Sequence, residues 1–278
     1  MFVVVVVVFM LMGLGLGSLS CEPVGIVQPS ERRVSVKVGE TAVGIVTYRQ
    51  GVAPFAFSFL NVHNNENTSV VAAKSLIAGG SFGSGSITFL DHGGTRDVAF
   101  EMAGGRAFSI DPNRMFTAAG RRQFLEPRWE ADADAAVAEF AGRVLEEYGF
   151  FNVSVALTLH NNGPGYSASS YLPGGEFAAA AQAVAIGKLF SPRNFFYVVP
   201  GNVTTPVYAC LAKSGLNAVL QVAQQPPDDG SLSVLAAAYN ISYINTEGAA
   251  EDGGEGARVV DQLINLKALA QILQAMRQ

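Results

Sequence analysis

Apolar and polar positions change period repeatedly along the chain, and the changes mark out an alternation of strands and helices. Residues 34–38 and 42–48 are short runs of strand type on either side of Gly39-Glu40, and residues 55–62 form a longer apolar run of the same kind. Residues 69–77 read as a short helix, capped by Asn67 or Thr68 and stopped by Gly79-Gly80. Short strands are expected over 87–90 and 98–102. Between 133 and 148, Val137, Phe140, Ala141, Val144 and Tyr148 recur at helical spacing. Asp132 and Asp134 stand at its start, where negative charge suits the helix dipole, and Gly149 stands at its stop. Four more strands are expected over 153–159, 195–199, 218–222 and 241–246, with helices over 177–186, 206–214 and 232–239. A last amphipathic helix, roughly 257–276, carries Val260, Leu263, Leu266, Leu269 and Leu273 on one face. This alternation predicts an α/β fold, a three-layer sandwich with a mixed central sheet and helices on both faces. The Gly/Pro/Ser-rich stretches at 79–86, 163–175 and 224–231 read as loops within one domain, and no internal repeat is visible.

Composition narrows the class. The chain has 278 residues, 49% of them hydrophobic and 15% charged, enough to bury one sizeable core and too apolar for a disordered chain. Its net charge of −5, with no run of Lys or Arg longer than Arg121-Arg122, offers no footprint for a phosphate backbone, so nucleic acid is excluded as a partner. Residues 2–19 are almost continuously apolar, and Ser18-Leu19-Ser20 supplies small residues at the positions a signal peptidase reads. A signal peptide over 1–20 is therefore expected, leaving one domain over 21–278 that begins at Cys21 and is secreted. The other reading is an uncleaved anchor in the membrane, since no Lys or Arg precedes the apolar stretch. Bacterial lipidation at Cys21 is disfavoured by Ser18, where such sites usually carry Leu. Four N-x-[ST] sequons, at Asn67, Asn152, Asn202 and Asn240, are glycan acceptors if exposed in a eukaryotic secretory route. Cys210 and Cys21 are the only cysteines, so no disulfide framework is expected, and Cys210 reads as a buried apolar residue.

The candidate chemistry lies at the ends of two strands. His63 and Glu66 stand three residues apart just after the apolar run at 55–60, and His160 closes the run at 153–159. Two imidazoles and one carboxylate, with a fourth position open, form a common ligand set for hydrolytic zinc. His92, the remaining imidazole, reads as a turn residue in Asp91-His92-Gly93-Gly94.

Further motifs follow in order: Arg106, then Asp111-Pro112-Asn113-Arg114, then His160, then Ile244-Asn245-Thr246-Glu247. Across roughly residues 55–250 this order resembles the zinc carboxypeptidase superfamily, including its aspartoacylase and succinylglutamate desuccinylase branch. Pro112 departs from the usual leucine of that segment but leaves Asn113 and Arg114 available. The resemblance implies that His63, Glu66 and His160 hold Zn2+. Arg106 would polarise the scissile carbonyl and steady its oxyanion, with Arg96 as the competitor for that role. Asn113 and Arg114 would grip the free carboxylate of the substrate, for which the planar guanidinium is well shaped. Glu247 would take a proton from the attacking water and pass it to the leaving nitrogen. Asp91, Asn161 and Asn162 are candidates for orienting the imidazoles, and Tyr166 and Tyr171 for lining a pocket. The implied function is a secreted zinc-dependent amide hydrolase, carboxypeptidase-like, acting on a small peptide or acyl-amino-acid with a free carboxylate. An N-acyl amino acid deacylase of the aspartoacylase type is the alternative, and an inactive secreted binding protein of the same fold is the alternative of another class.

Overall fold

The computed structural model describes residues 28–53, 55, 57–80, 84–162, 165–188, 191–201, 203–222, 228–249 and 255–276. The expected signal peptide over 1–20, Cys21 and the sequon at Asn202 lie outside the described residues. Of the other sequons, Asn67, Asn152 and Asn240 are exposed.

The strands are Ser30–Val38 (β1), Thr41–Gln50 (β2), Phe57–Asn61 (β3), Gly85–Asp91 (β4), Val98–Met102 (β5), Arg106–Ile110 (β6), Val155–Asn162 (β7), Ala181–Ala185 (β8), Phe195–Val199 (β9), Ala218–Gln221 (β10) and Ser242–Ala249 (β11). Helices run over Asn67–Ala78 (α1), Ala118–Phe124 (α2), Ala131–Tyr148 (α3), Thr204–Lys213 (α4), Leu232–Ala238 (α5) and Glu255–Ala275 (α6). Nine strands form one sheet in the order β1-β2-β4-β3-β7-β11-β9-β10-β8, and β5 and β6 make a separate antiparallel hairpin. The centre, β4-β3-β7-β11, is parallel, while β1-β2, β2-β4, β11-β9 and β10-β8 pair antiparallel. The sheet is thus mixed, as expected. β1 and β2 meet at Gly39, whose φ of +58° favours glycine and where a Cβ would collide with the Glu101 carbonyl.

Helices cover both faces. On one, Leu76 of α1, Leu211 of α4 and Leu266 and Leu269 of α6 pack against Phe59, Leu157, Phe196 and Ile244. On the other, Val137, Phe140 and Val144 of α3 and Leu232 of α5 pack with Ile45, Leu60 and Leu90. Phe59 and Leu60 are neighbours in sequence yet belong to opposite cores, because successive strand residues point to opposite faces and central parallel strands are buried on both.

The structure departs from the expected elements in several places. Residues 177–186 form no α-helix: a 3-10 turn over Ala178–Ala180 leads into β8, which pairs antiparallel with β10 at the sheet edge. Alanine favours helix, but pairing with β10 satisfies the backbone here instead. β6 and α2 are elements the sequence reading lacks. β7 and β11 also run further than expected, so His160 and Glu247 sit inside the ladder, opposite each other in register. Cys210 is exposed, because α4 turns Val207 and Leu211 inward instead.

Candidate metal centre

The site is assembled where β3 and β7 end. The turn from β3 to α1 is held by polar side chains. Asn61 Nδ2 donates to Ser69 Oγ at 2.8 Å and to the Leu159 carbonyl at 3.2 Å, and Ser69 Oγ donates to the Glu66 carbonyl at 2.8 Å. Asn64 Oδ1 accepts from the backbone N–H groups of His92 and Gly94, at 2.8 and 2.7 Å, which ties the same turn to the one after β4. Glu66 occupies the N-cap position of α1 but makes no cap hydrogen bond with its side chain, and its carboxylate faces the two histidines.

His63, Glu66 and His160 are all buried and bring their donor atoms within 4.8 Å of one another. His63 Nδ1 and His160 Nδ1 lie 3.1 Å apart, Glu66 Oε1 is 2.8 Å from His63 Nδ1, and Glu66 Oε2 is 3.3 Å from His160 Nδ1. Two Zn–N bonds of about 2.0–2.1 Å at a tetrahedral angle hold their donors roughly 3.3 Å apart. The 3.1 Å between the two imidazole nitrogens is close to that spacing, and each Glu66 oxygen lies near one of them. The other ring nitrogen of His63, Nε2, lies 2.8 Å from Asp111 Oδ1, and a proton held there would leave Nδ1, once deprotonated, as the donor facing the centre. The residues present therefore fit the implied zinc.

The electrostatics agree with a tightly coupled cluster. Burial pulls the His63 imidazole down, but hydrogen bonds and charge from Asp111 and Glu66 outweigh it and push it up to about 9. Burial raises Glu66, yet the His160 and His63 imidazoles hold it well below the ordinary carboxylate range. Asp111 is likewise held low by His63 and Arg96 against its burial. Glu247 is buried beside the cluster with its Oε1 accepting from Asn245 Nδ2 at 2.8 Å, and burial raises its pKa despite the opposing pull of His160.

Not every expected residue arrives at the cluster. Arg106 pairs with Glu130 and Asp132 at the N-terminus of α3 and makes no described contact with the ligands. It flanks the turn of the β5-β6 hairpin, whereas Arg96 sits at the hairpin's open end. Arg96 Nη1 reaches Glu66 Oε1 at 3.1 Å, and its Nη2 and Nε reach Asp111 Oδ2 at 3.1 and 3.3 Å. Arg114 lies one 3-10 turn from Asp111 but is ion-paired with Asp229, and Asn113 donates its backbone N–H to Asp111 Oδ1 at 2.8 Å. Asp91 pairs with Arg33, Asn162 Nδ2 donates to the Arg193 carbonyl, and Asn161 donates its backbone N–H to Glu66 Oε2 at 2.9 Å. His92 occupies a turn, with Nδ1 3.2 Å from Thr95 Oγ1. Tyr166 and Tyr171 join hydroxyls within an aromatic cluster that includes Phe177, Phe195 and Tyr197. The sequence reading gave Asp111 no role, although its place two residues before Asn113 was visible.

Fold and site together describe an α/β protein with a candidate metal centre at the C-terminal ends of parallel strands, the usual place for sites in open α/β sheets. Its structural neighbours are succinylglutamate desuccinylase/aspartoacylase-family proteins and a metallocarboxypeptidase. The ectoine utilization protein EutE (DoeB) from Ruegeria pomeroyi has a TM-score of 0.47 at 14% identity, covering 90% of this chain and 70% of its own. An aspartoacylase family protein from Mesorhizobium loti has 0.45 at 16%, covering 88% and 68%. A metallo-carboxypeptidase from Burkholderia cenocepacia has 0.46 at 12%, covering 91% and 66%. The sequence matches no family model and no curated protein.

Proposed function

We propose that this protein is a zinc-dependent amide hydrolase, secreted, that releases a carboxylate-bearing residue from a peptide or acyl-amino-acid. The observation that carries this reading is the convergence of His63 Nδ1, His160 Nδ1 and the Glu66 carboxylate, backed by Asp111 on the far side of His63. Zinc bound there brings the pKa of a coordinated water down to about 7 and polarises the scissile carbonyl. The protein's own residues supply the rest. Glu247, buried and with a raised pKa, accepts the proton of the attacking water and returns it to the leaving nitrogen. Arg96, half exposed beside the cluster, is placed to meet negative charge developing on the carbonyl oxygen. Arg114 is the cation nearest along the chain for the substrate carboxylate, which would exchange with Asp229 in its fork.

The test is metal analysis joined to a substrate panel. Purified protein is expected to hold close to one zinc per chain, falling sharply in His63→Ala and His160→Ala. An N-acyl amino acid and a short peptide with a free C-terminus separate deacylase from carboxypeptidase. Glu247→Gln is expected to keep its zinc and lose turnover. Bound zinc with no hydrolysis of either substrate by the wild type would instead favour a binding protein on this fold.

A further inference from the structure

Gln262 carries α6 to the candidate metal centre. Gln262 is 2% exposed, and its Nε2 donates to Asn161 Oδ1 at 2.8 Å. The Asn161 backbone N–H donates in turn to Glu66 Oε2 at 2.9 Å, the carboxylate oxygen that faces His160. The ladder between β7 and β11 sets His160 opposite Glu247 and Asn161 opposite Gly248. Gln262 contacts both members of that second pair. A Cβ on Gly248 would overlap the Gln262 amide, so glycine at 248 is what admits the side chain. Behind it, Leu266, Leu269, Ala270 and Leu273 bury α6 against the sheet and α1, which fixes where Gln262 stands.

This amide is poorly placed for stability alone. Gln262 Oε1 is buried with no hydrogen-bond partner among the described residues, and so is Nδ2 of Asn265, three positions along the helix. A buried polar group that is half satisfied weighs against the folded state, so the hydrogen bond to Asn161 is held at some loss. We infer that Gln262 is a positioning residue for the metal centre, acting through Asn161 to hold the Glu66 carboxylate square to the two imidazoles. The inference rests on the zinc reading above. Partners behind the ligands orient them, and their removal commonly weakens metal affinity 10- to 100-fold, which sets the scale expected here at about that range.

The experiment compares the full chain as wild type, Gln262→Met and Gly248→Ala. Zinc affinity is measured by competition with a chromophoric chelator, Tm is measured on the metal-free proteins, and the visible spectrum is recorded after cobalt substitution. Gln262→Met is expected to lose about 10- to 100-fold in zinc affinity and to shift the cobalt bands, while its metal-free Tm reads separately the small loss from the unpaired Asn161 Oδ1. Gly248→Ala, which displaces the amide without removing it, is expected to weaken zinc in the same direction. Zinc affinity within about twofold of wild type in Gln262→Met overturns the positioning role and leaves the metal reading standing. A wild type that binds no zinc overturns both.

Discussion

Arg96 and Arg106 differ in what each guanidinium can still do. Arg106 is committed to Glu130 and Asp132, two carboxylates at the start of α3, whereas Arg96 shares its contacts with Glu66 and Asp111 inside the cluster. The hairpin register explains the difference. Val98 stands opposite Ile110 and Met102 opposite Arg106, so the antiparallel pairing carries residues before Val98 toward Asp111 and leaves Arg106 about 14 Å further along the strand. If Arg96 meets charge developing in the transition state, Arg96→Ala lowers kcat/KM by about 10²- to 10³-fold. Arg106→Ala stays within a few-fold of wild type. Steady-state kinetics on whichever panel substrate is turned over decides this, and a large loss in Arg106→Ala with little in Arg96→Ala would return the role to Arg106. The two histidines and Glu66 were legible in the sequence because His63 and Glu66 follow one apolar run and His160 closes another. That Arg96, the competitor, and not Arg106 lies beside them was not legible, because spacing along the chain cannot show a hairpin that folds residue 96 back onto residue 111. Gln262 was invisible for a similar reason: its meaning comes only from the pairing of β7 with β11.

α3 shows what makes an element readable. Its buried residues Val137, Phe140, Ala141, Val144 and Tyr148 repeat at helical spacing over about three turns, acidic residues stand at its start, and Gly149 closes it at φ +75°. Each signal points to the same helix, and the structure has it over Ala131–Tyr148. The stretch at 177–186 lacks that agreement. Its residues are apolar at every position but Gln182, so no polar face distinguishes helix from strand, and tertiary pairing with β10 decided the outcome against alanine's helix propensity. β6 and α2 are short, and short elements leave too few positions to establish a period. The same logic locates the stability of the fold. Phe140 is fully buried in the core under the parallel strands, so Phe140→Ala removes a whole ring and leaves a cavity costing about 3–5 kcal/mol. Denaturant melts read this directly. A loss below about 1 kcal/mol would mean that α3 closes over the gap and is less tightly packed than its burial indicates.

At the scale of the whole molecule, the buried cluster couples folding to protons, and would couple both to a metal held there. In the metal-free protein His63 is raised from 6.5 to about 9, after Asp111 and Glu66 overcome the opposing effect of burial. A group raised in the folded state adds stability that is complete below its unfolded value near 6.5 and is lost as pH climbs toward 9. Glu66 and Asp111 are depressed, so their contribution is present above their ordinary values and disappears as pH falls into the acid range. The metal-free protein should thus be most stable between about pH 4.5 and 6.5 and weaken toward alkaline pH. Zinc held at this cluster would reverse the alkaline trend. It needs the lone pair on His63 Nδ1, so loading must displace a proton, and affinity should rise about tenfold per pH unit until His63 deprotonates unaided near 9. Because a ligand that binds only the folded state stabilises it according to concentration over Kd, the gap in Tm between zinc-loaded and metal-free protein should widen steadily from pH 6 to 9. Thermal melts across that range at fixed free zinc, with and without chelator, check the sign. A gap that is flat or narrows with rising pH would mean that the proton on His63 and the metal do not compete for one nitrogen, and the donor assignment at the centre of this site would have to be abandoned.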